Sequence, residues 1–193
     1  MENFQQLIAQ RFSFLTQEDF EWLISVSSIK MIEANEILIR EGELSFQGYF
    51  VLEGMLRNYH INHHGDEKTV LFTWEGQTIV AYSSTFLNEP ATEFTEALEP
   101  TTVLNLDFRD LRRKAEENPR VNKAYIQMLE EALIACIHRV DDFTQNSPEE
   151  RYLALLKKQP LLLQRVPQKH LASYLGITHI SLSRIRARVA KKW

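Results

Sequence analysis

Three side chains near the carboxy end, Ile180, Ser183 and Arg184, are of the types that read base edges in the major groove of DNA. An arginine can give a bidentate pair to guanine O6 and N7, a serine hydroxyl can donate or accept, and an aliphatic group can meet a thymine methyl. On a helix turning about 100° per residue, Ile180, Ser183, Arg184 and Ala187 share one side, with His179 and Arg188 flanking. Leu182, Ile185 and Val189 share the other. Around this face stand Gln168, Lys169, Ser181, Arg186, Arg188, Lys191 and Lys192, donors that suit phosphates, which fix position without reading sequence.

Such a face must be carried by a helix locked onto a small core. Ala172, Gly176 and Leu182 have the spacing of a helix-turn-helix: a small residue where two helices cross, a glycine in the turn, and an aliphatic anchor in the second helix. Leu171, Leu175, Ile177, Ile185 and Val189 fall at core positions, Pro167 precedes the first helix, and Thr178 can cap the second. Charge points the same way. Residues 151–193 hold 10 of the 22 Lys and Arg and none of the 26 Asp and Glu, so the net charge of −4 conceals a basic tail on an acidic body. A tail of that sign expects a polyanionic partner, with nucleic acid ahead of an anionic membrane surface.

The remaining elements must present that tail. With 193 residues, 44% apolar and 25% charged, the chain has enough residues to bury a core without disulfide or metal. Its one cysteine, Cys136, excludes an internal disulfide and a cysteine-ligated iron–sulfur cluster or structural zinc site. No signal segment and no long apolar run occurs, so a cytoplasmic location and no membrane partner are expected. Residues 1–26 read as helical, with Thr16 as a cap before Phe20, Leu23 and Ile24. From Ser28 to Leu106, short β-branched and aromatic runs punctuated by glycines give the signature of a β-roll or barrel, with His63-His64-Gly65-Asp66 as a turn. Asp107 to Glu117 reads as a short helix, and Asn118-Pro119 opens a long one. Along the long helix Ile126, Leu129, Leu133, Cys136, Val140 and Phe143 recur at intervals of 3, 4, 3, 4 and 3, the seam of a two-stranded coiled coil. Met128 and Ala132 widen the stripe as a helix covering the β-domain would require. The expected organisation is a sensor β-roll over 1–117, a dimerisation helix over 118–146 and a helix-turn-helix domain over 147–193.

This α+β order of parts resembles the Crp/Fnr family of bacterial transcription regulators. The resemblance rests on Glu41-Gly42, Leu52-Glu53-Gly54, Gly76, Glu96-Ala97-Leu98-Glu99 and Leu171 to Arg186. It implies an amino-terminal roll of the cyclic-nucleotide-binding type with flanking helices, a homodimer through the long helix, double-stranded DNA as partner, and RNA polymerase as a further protein partner. It places base contacts at His179, Ile180 and Arg184, and an effector pocket at Tyr82, Ser83, Ser84, Thr92 and Glu93, with Arg57 contributing from a neighbouring strand. Members that bind cyclic AMP use a Gly-Glu pair for the ribose and an Arg-Ser or Arg-Thr pair for the phosphate. Here Ala81 stands at the glutamate position and Ala91 at the arginine position, leaving Thr92 with the extra charge of Glu93 beside it. A cyclic nucleotide is therefore not expected, and the effector is an unidentified small molecule. The chain also stops soon after the reading helix, so the β-wing of the family is expected to be incomplete.

Two readings from other classes compete. His60, His63 and His64 sit in the spacing His-x-x-His-His, unlike the ligand pattern of a cupin-type metal enzyme, so a metal site is not expected, although the resemblance offers His60 as a haem ligand. No nucleophile–base arrangement and no phosphate-cradling glycine loop appears, so neither catalysis nor a cofactor is expected. The other alternative is a β-roll ligand-binding or scaffold protein whose basic tail docks to a protein or a membrane.

Overall fold

The computed structural model describes residues 2–191. They form two compact units: the chain up to Asn58 with Phe72–Glu131, and Tyr59–Leu71 with the chain from Ala132 onward.

Two amino-terminal helices, α1 (Glu2–Arg11) and α2 (Gln17–Ser25), precede two four-stranded sheets. Thr16 caps the start of α2, as expected from its place before Phe20, Leu23 and Ile24. One sheet has the order β1 (Ser27–Ile32), β8 (Thr101–Asp107), β3 (Gln47–Glu53), β6 (Thr78–Val80). The other runs β2 (Ile37–Ile39), β7 (Phe94–Ala97), β4 (Met55–Ile61), β5 (Glu67–Trp74). Period two divides the side chains of the first sheet between its faces. Phe50 and Leu104 pack with Ile8 of α1 and with Phe12 just after it, while Val80 and Leu106 pack with Phe108 and Leu111 of α3 (Phe108–Glu117). Tyr49, Val51 and Val103, on the alternate positions, are buried as well. Gly54 joins β3 to β4 at φ +97°, and a Cβ there would stand 2.7 Å from the backbone Cα of Thr101, so the link admits glycine alone.

Asp19 clamps the helical layer of this unit. Its carboxylate accepts from the Thr16 backbone N–H at 2.9 Å and hydroxyl at 2.8 Å, from Asn118 Nδ2 at 2.7 Å and from Arg120 Nε at 2.6 Å. The start of α2 is thereby tied to the junction between α3 and the long helix α4 (Pro119–Gln145). The Arg120 guanidinium holds the Asp19 carboxyl well below its ordinary value, against the opposing effect of burial.

α4 serves two surfaces with its 27 residues. Val121 and Ala124 are buried against the first unit and Met128 packs beside them, while Ile126, Leu129, Leu133 and Val140 stay exposed. In the second unit, α5 (Pro148–Lys158), α6 (Pro160–Arg165), α7 (Gln168–Tyr174) and α8 (His179–Ala190) follow, with no strand after α8 among the described residues. Ser147 and Glu150 form a capping box at the start of α5. The turn of the β4–β5 hairpin is organised by Asn62, whose Oδ1 accepts from the backbone N–H of His64 and of Asp66. Ser173 of α7 pegs the same hairpin, its Oγ accepting from Thr69 N at 2.8 Å and donating to Glu67 O at 2.9 Å. No helix of the described residues is long and apolar enough to cross a membrane.

Because Asp19 titrates below its unfolded value, its contribution is complete above that value and is lost as pH falls through the folded one. Asp19→Asn is expected to destabilise the protein by about 1–3 kcal/mol at neutral pH. Urea titrations from neutral pH into acid should show the gap between parent and variant closing below about pH 4.

Candidate functional site

The sequence places α8 by burying one stripe. Leu182, Ile185 and Val189 are buried, and Ala172 and Leu171 of α7 are buried opposite them. At about 100° per residue this burial turns His179, Ile180, Ser183 and Arg184 outward, and all four are exposed. Ile180 is 62% exposed, an aliphatic side chain in water on an otherwise polar face. The helix begins where Thr178 Oγ1 accepts from Ser181 N at 3.1 Å. The Ser181 hydroxyl lies 3.0 Å from the same oxygen, so this side chain belongs to the cap as well as to the expected phosphate set.

The other expected phosphate donors divide. Gln168, Lys169 and Lys191 are exposed and Arg186 is half-buried. Arg188 pairs with Glu149 of α5 at 3.1 Å, a tie that the charge count could not reveal. Lys192 lies outside the described residues.

Arginines that sequence reasoning missed hold the turn. Arg151, counted only as part of the basic tail, is buried and bonds three ways: Nη1 donates to Asn146 O at 2.6 Å, and Nη2 and Nε donate to Leu175 O at 2.9 and 3.2 Å. Arg139 donates to Tyr174 O at 2.6 Å and stacks on the Tyr174 ring at 3.8 Å. Burial lowers its pKa, with the negative partners around it opposing the shift. Both guanidiniums also cover the Phe143 ring. The signal was available for Arg151, which stands one helical turn before buried Leu155 and so on the inward stripe of α5. Phe143, expected as the last residue of the dimer seam, is 43% exposed and lies beside Arg139, Arg151 and Gly176 of its own chain. Gly176, at φ +69°, has room for no Cβ, which would stand 2.7 Å from the Phe143 ring.

The other seam residues stand together. Ile126, Leu129, Leu133, Cys136 and Val140 are exposed along one line of α4, and Ile134 and Ile137 extend it. Two apolar stripes on one helix explain why Met128 and Ala132 fit a covering helix while the seam fits an associating one.

The expected effector pocket is drawn together at a short π-helix, Ser83–Leu87, but not as an open site. The Glu93 carboxylate accepts from Tyr82 N at 3.2 Å, from Thr92 N at 3.1 Å and from the Thr92 hydroxyl at 2.9 Å. Ser83 Oγ lies 3.4 Å from Thr92 Oγ1. Tyr82 is exposed and stacks on Phe86, whereas Ser84 is fully buried. Arg57, fully buried on β4, donates to Glu96 Oε1 at 2.7 Å. Ala81 and Ala91 are buried, and the backbone of Ala91 pairs with Gly42 and Glu43. The rings of the hairpin histidines His63 and His64 lie 3.8 Å apart, tilted by 47° to each other. No group of three or more His, Cys, Asp or Glu able to hold a metal occurs among the described residues.

Residues 29–118 match the model of the cyclic nucleotide-binding domain. No curated protein matches the chain in sequence at a significant level. Among solved structures, FixK2 from Bradyrhizobium japonicum is similar with a TM-score of 0.75 at 17% identity, covering 86% of this chain and 86% of its own. A CooA mutant from Carboxydothermus hydrogenoformans follows with a TM-score of 0.72 at 16% identity, over 92% of this chain and 82% of that one. The Catabolite Activator Protein of Thermus thermophilus is 21% identical over 94% of this chain and 86% of its own, with a TM-score of 0.57. These are Crp/Fnr regulators, and the expected α+β architecture of roll, long helix and carboxy-terminal helices is theirs.

Gly176→Ala meets both a left-handed backbone and the Phe143 ring. It is expected to cost about 1–3 kcal/mol. Hydrogen exchange should show protection falling in α7 and α8 while the β-roll amides keep theirs.

Proposed function

We propose that this chain, with a cyclic nucleotide-binding domain over residues 29–118 and the fold of Crp/Fnr regulators, is a sequence-specific DNA-binding transcription regulator that works in the cytoplasm as a homodimer. Its effector is not a cyclic nucleotide. The observation that carries this reading is the outward face of α8, where Ile180, Ser183 and Arg184 stand exposed on a helix anchored by buried Leu182, Ile185 and Val189. An exposed aliphatic beside a serine and an arginine suits base edges, where a methyl contact and a bidentate guanidinium pair each discriminate. Gln168, Lys169 and Lys191, exposed nearby in sequence and charge, suit the phosphates.

The homodimer is supported by the bare stripe on α4. Leu133 and Val140, each 61% exposed, would be costly to leave in water along a continuous helical line, and a second copy of the same stripe covers them by two-fold symmetry. Two reading helices related in this way favour a near-palindrome with half-sites about 34 Å apart. The effector reading is supported by the cassette. Ala81 and Ala91 offer methyl groups where ribose and phosphate would need a carboxylate and a guanidinium, and Arg57 is bonded to Glu96.

Leu133→Asp would set two facing carboxylates in the seam, and sedimentation should find a monomer where the parent is a dimer. A variant that remains dimeric would place the interface elsewhere. For DNA, Arg184→Ala is expected to cost about 1–3 kcal/mol at the preferred duplex and to relax preference at one base position in each half-site. Lys191→Ala should instead weaken every duplex about equally and lower the salt slope by about 1 for each phosphate it no longer neutralises. Fluorescence anisotropy on preferred and scrambled duplexes across a salt series separates the two. An Arg184→Ala protein that binds both as the parent does would remove base reading from α8.

A further inference from the structure

The contacts of Glu93 go beyond the absence of a cyclic-nucleotide motif. Its carboxylate is 4% exposed and takes three donors from two separate segments of the chain, the Tyr82 amide beside the π-helix and the Thr92 amide and hydroxyl next to β7. Backbone N–H groups and a hydroxyl converging on one charged oxygen pair are the donor set that a protein offers to a bound anion. Here the anion is part of the chain. Thr92, the one residue expected to hold a phosphate, donates its O–H to the carboxylate of its own neighbour.

We propose that Glu93 is a built-in anion that permanently closes the effector cassette, so that this domain needs no anionic effector and rejects those offered to it. The inference rests on the reading of the chain as a regulator with an effector domain, and it names how that domain is set. Two physical points carry it. A carboxylate seated on these donors would have to leave before a phosphate could use them, breaking three hydrogen bonds that the chain already makes. A phosphate arriving while the carboxylate stays would meet like charge at hydrogen-bonding distance, which costs more the less water is present. Ligands that act through this cassette must therefore be neutral or cationic, or must act without touching the Tyr82–Thr92 donors. DNA affinity of the chain is then set without cyclic AMP or other anionic metabolites.

The test is chemical rescue on the full-length chain. Glu93→Ala should unfold ~5 °C below the parent, and sodium acetate should restore at least half of the loss relative to sodium chloride at equal ionic strength. The parent should respond to the two salts alike and should show no shift with millimolar cyclic AMP. Glu93→Ala unfolding at the parent temperature, or responding identically to acetate and chloride, would overturn the proposal, as would a parent stabilised by cyclic AMP. Should Glu93→Ala not fold, Glu93→Gln and Thr92→Val replace it. Their losses in midpoint should be strongly non-additive in the double variant, because each removes part of the same contact. Additive losses would overturn the proposal equally. DNA binding is measured on the same samples. Rescue by acetate without duplex recognition would keep the closed cassette and remove the regulator, whereas duplex recognition without rescue would do the reverse.

Discussion

A buried guanidinium cannot be left without acceptors, and in the second unit this requirement fixes the geometry on which the exposed face of α8 depends. Arg151 meets it with backbone carbonyls, Asn146 O at the end of α4 and Leu175 O at the end of α7. One side chain on α5 thereby satisfies a carbonyl at each of two helix ends, groups that a helix cannot pair within itself. Gly176 follows Leu175 immediately and turns the chain into α8. Truncating Arg151 would leave those carbonyls unpaired and open space beneath the Phe143 ring, so it acts on α8 without touching a ligand. The outward direction of Arg184 and Ile180 is a consequence of this packing rather than of any preference of their own.

The same rule governs the first unit, with carboxylates in place of the guanidinium. Asp19 and Glu93 are both buried, and both are held by backbone amides together with side-chain donors. Asp19 joins helices and Glu93 joins the two edges of the effector cassette. Buried charges satisfied by backbone groups cannot relocate without unpairing main-chain partners, which makes these points rigid.

Much of this architecture was legible in the sequence because it is written in periodicity and in turn residues. The stripe Leu182, Ile185, Val189 and the cap at Thr178 located α8, Asn118-Pro119 located the start of α4, and alternating apolar runs between glycines located β3, β4 and β5. Long-range pairing of polar groups was not legible. Nothing near Arg188 in the chain reveals that Glu149 will meet it, nor does Asp19 announce Asn118 and Arg120 across about a hundred intervening residues. Phe143 shows a subtler limit. Its place in the heptad series is genuine, but a heptad position says only that a side chain is apolar and on a given side, and here the neighbours on that side are Arg139, Arg151 and Gly176. Glu93 was visible as a charge next to Thr92, whereas its role depends on the Tyr82 amide, which only the folded chain brings within reach.

Reading of a DNA sequence by this chain as a symmetric dimer is tested by selection of bound duplexes from a randomised pool by the 193-residue chain, with no effector added. The account predicts an enriched two-fold symmetric motif whose half-site centres lie about one helical turn, roughly 10 base pairs, apart. Retention of the pool without enrichment of any motif, with affinity depending on salt alone, would contradict it.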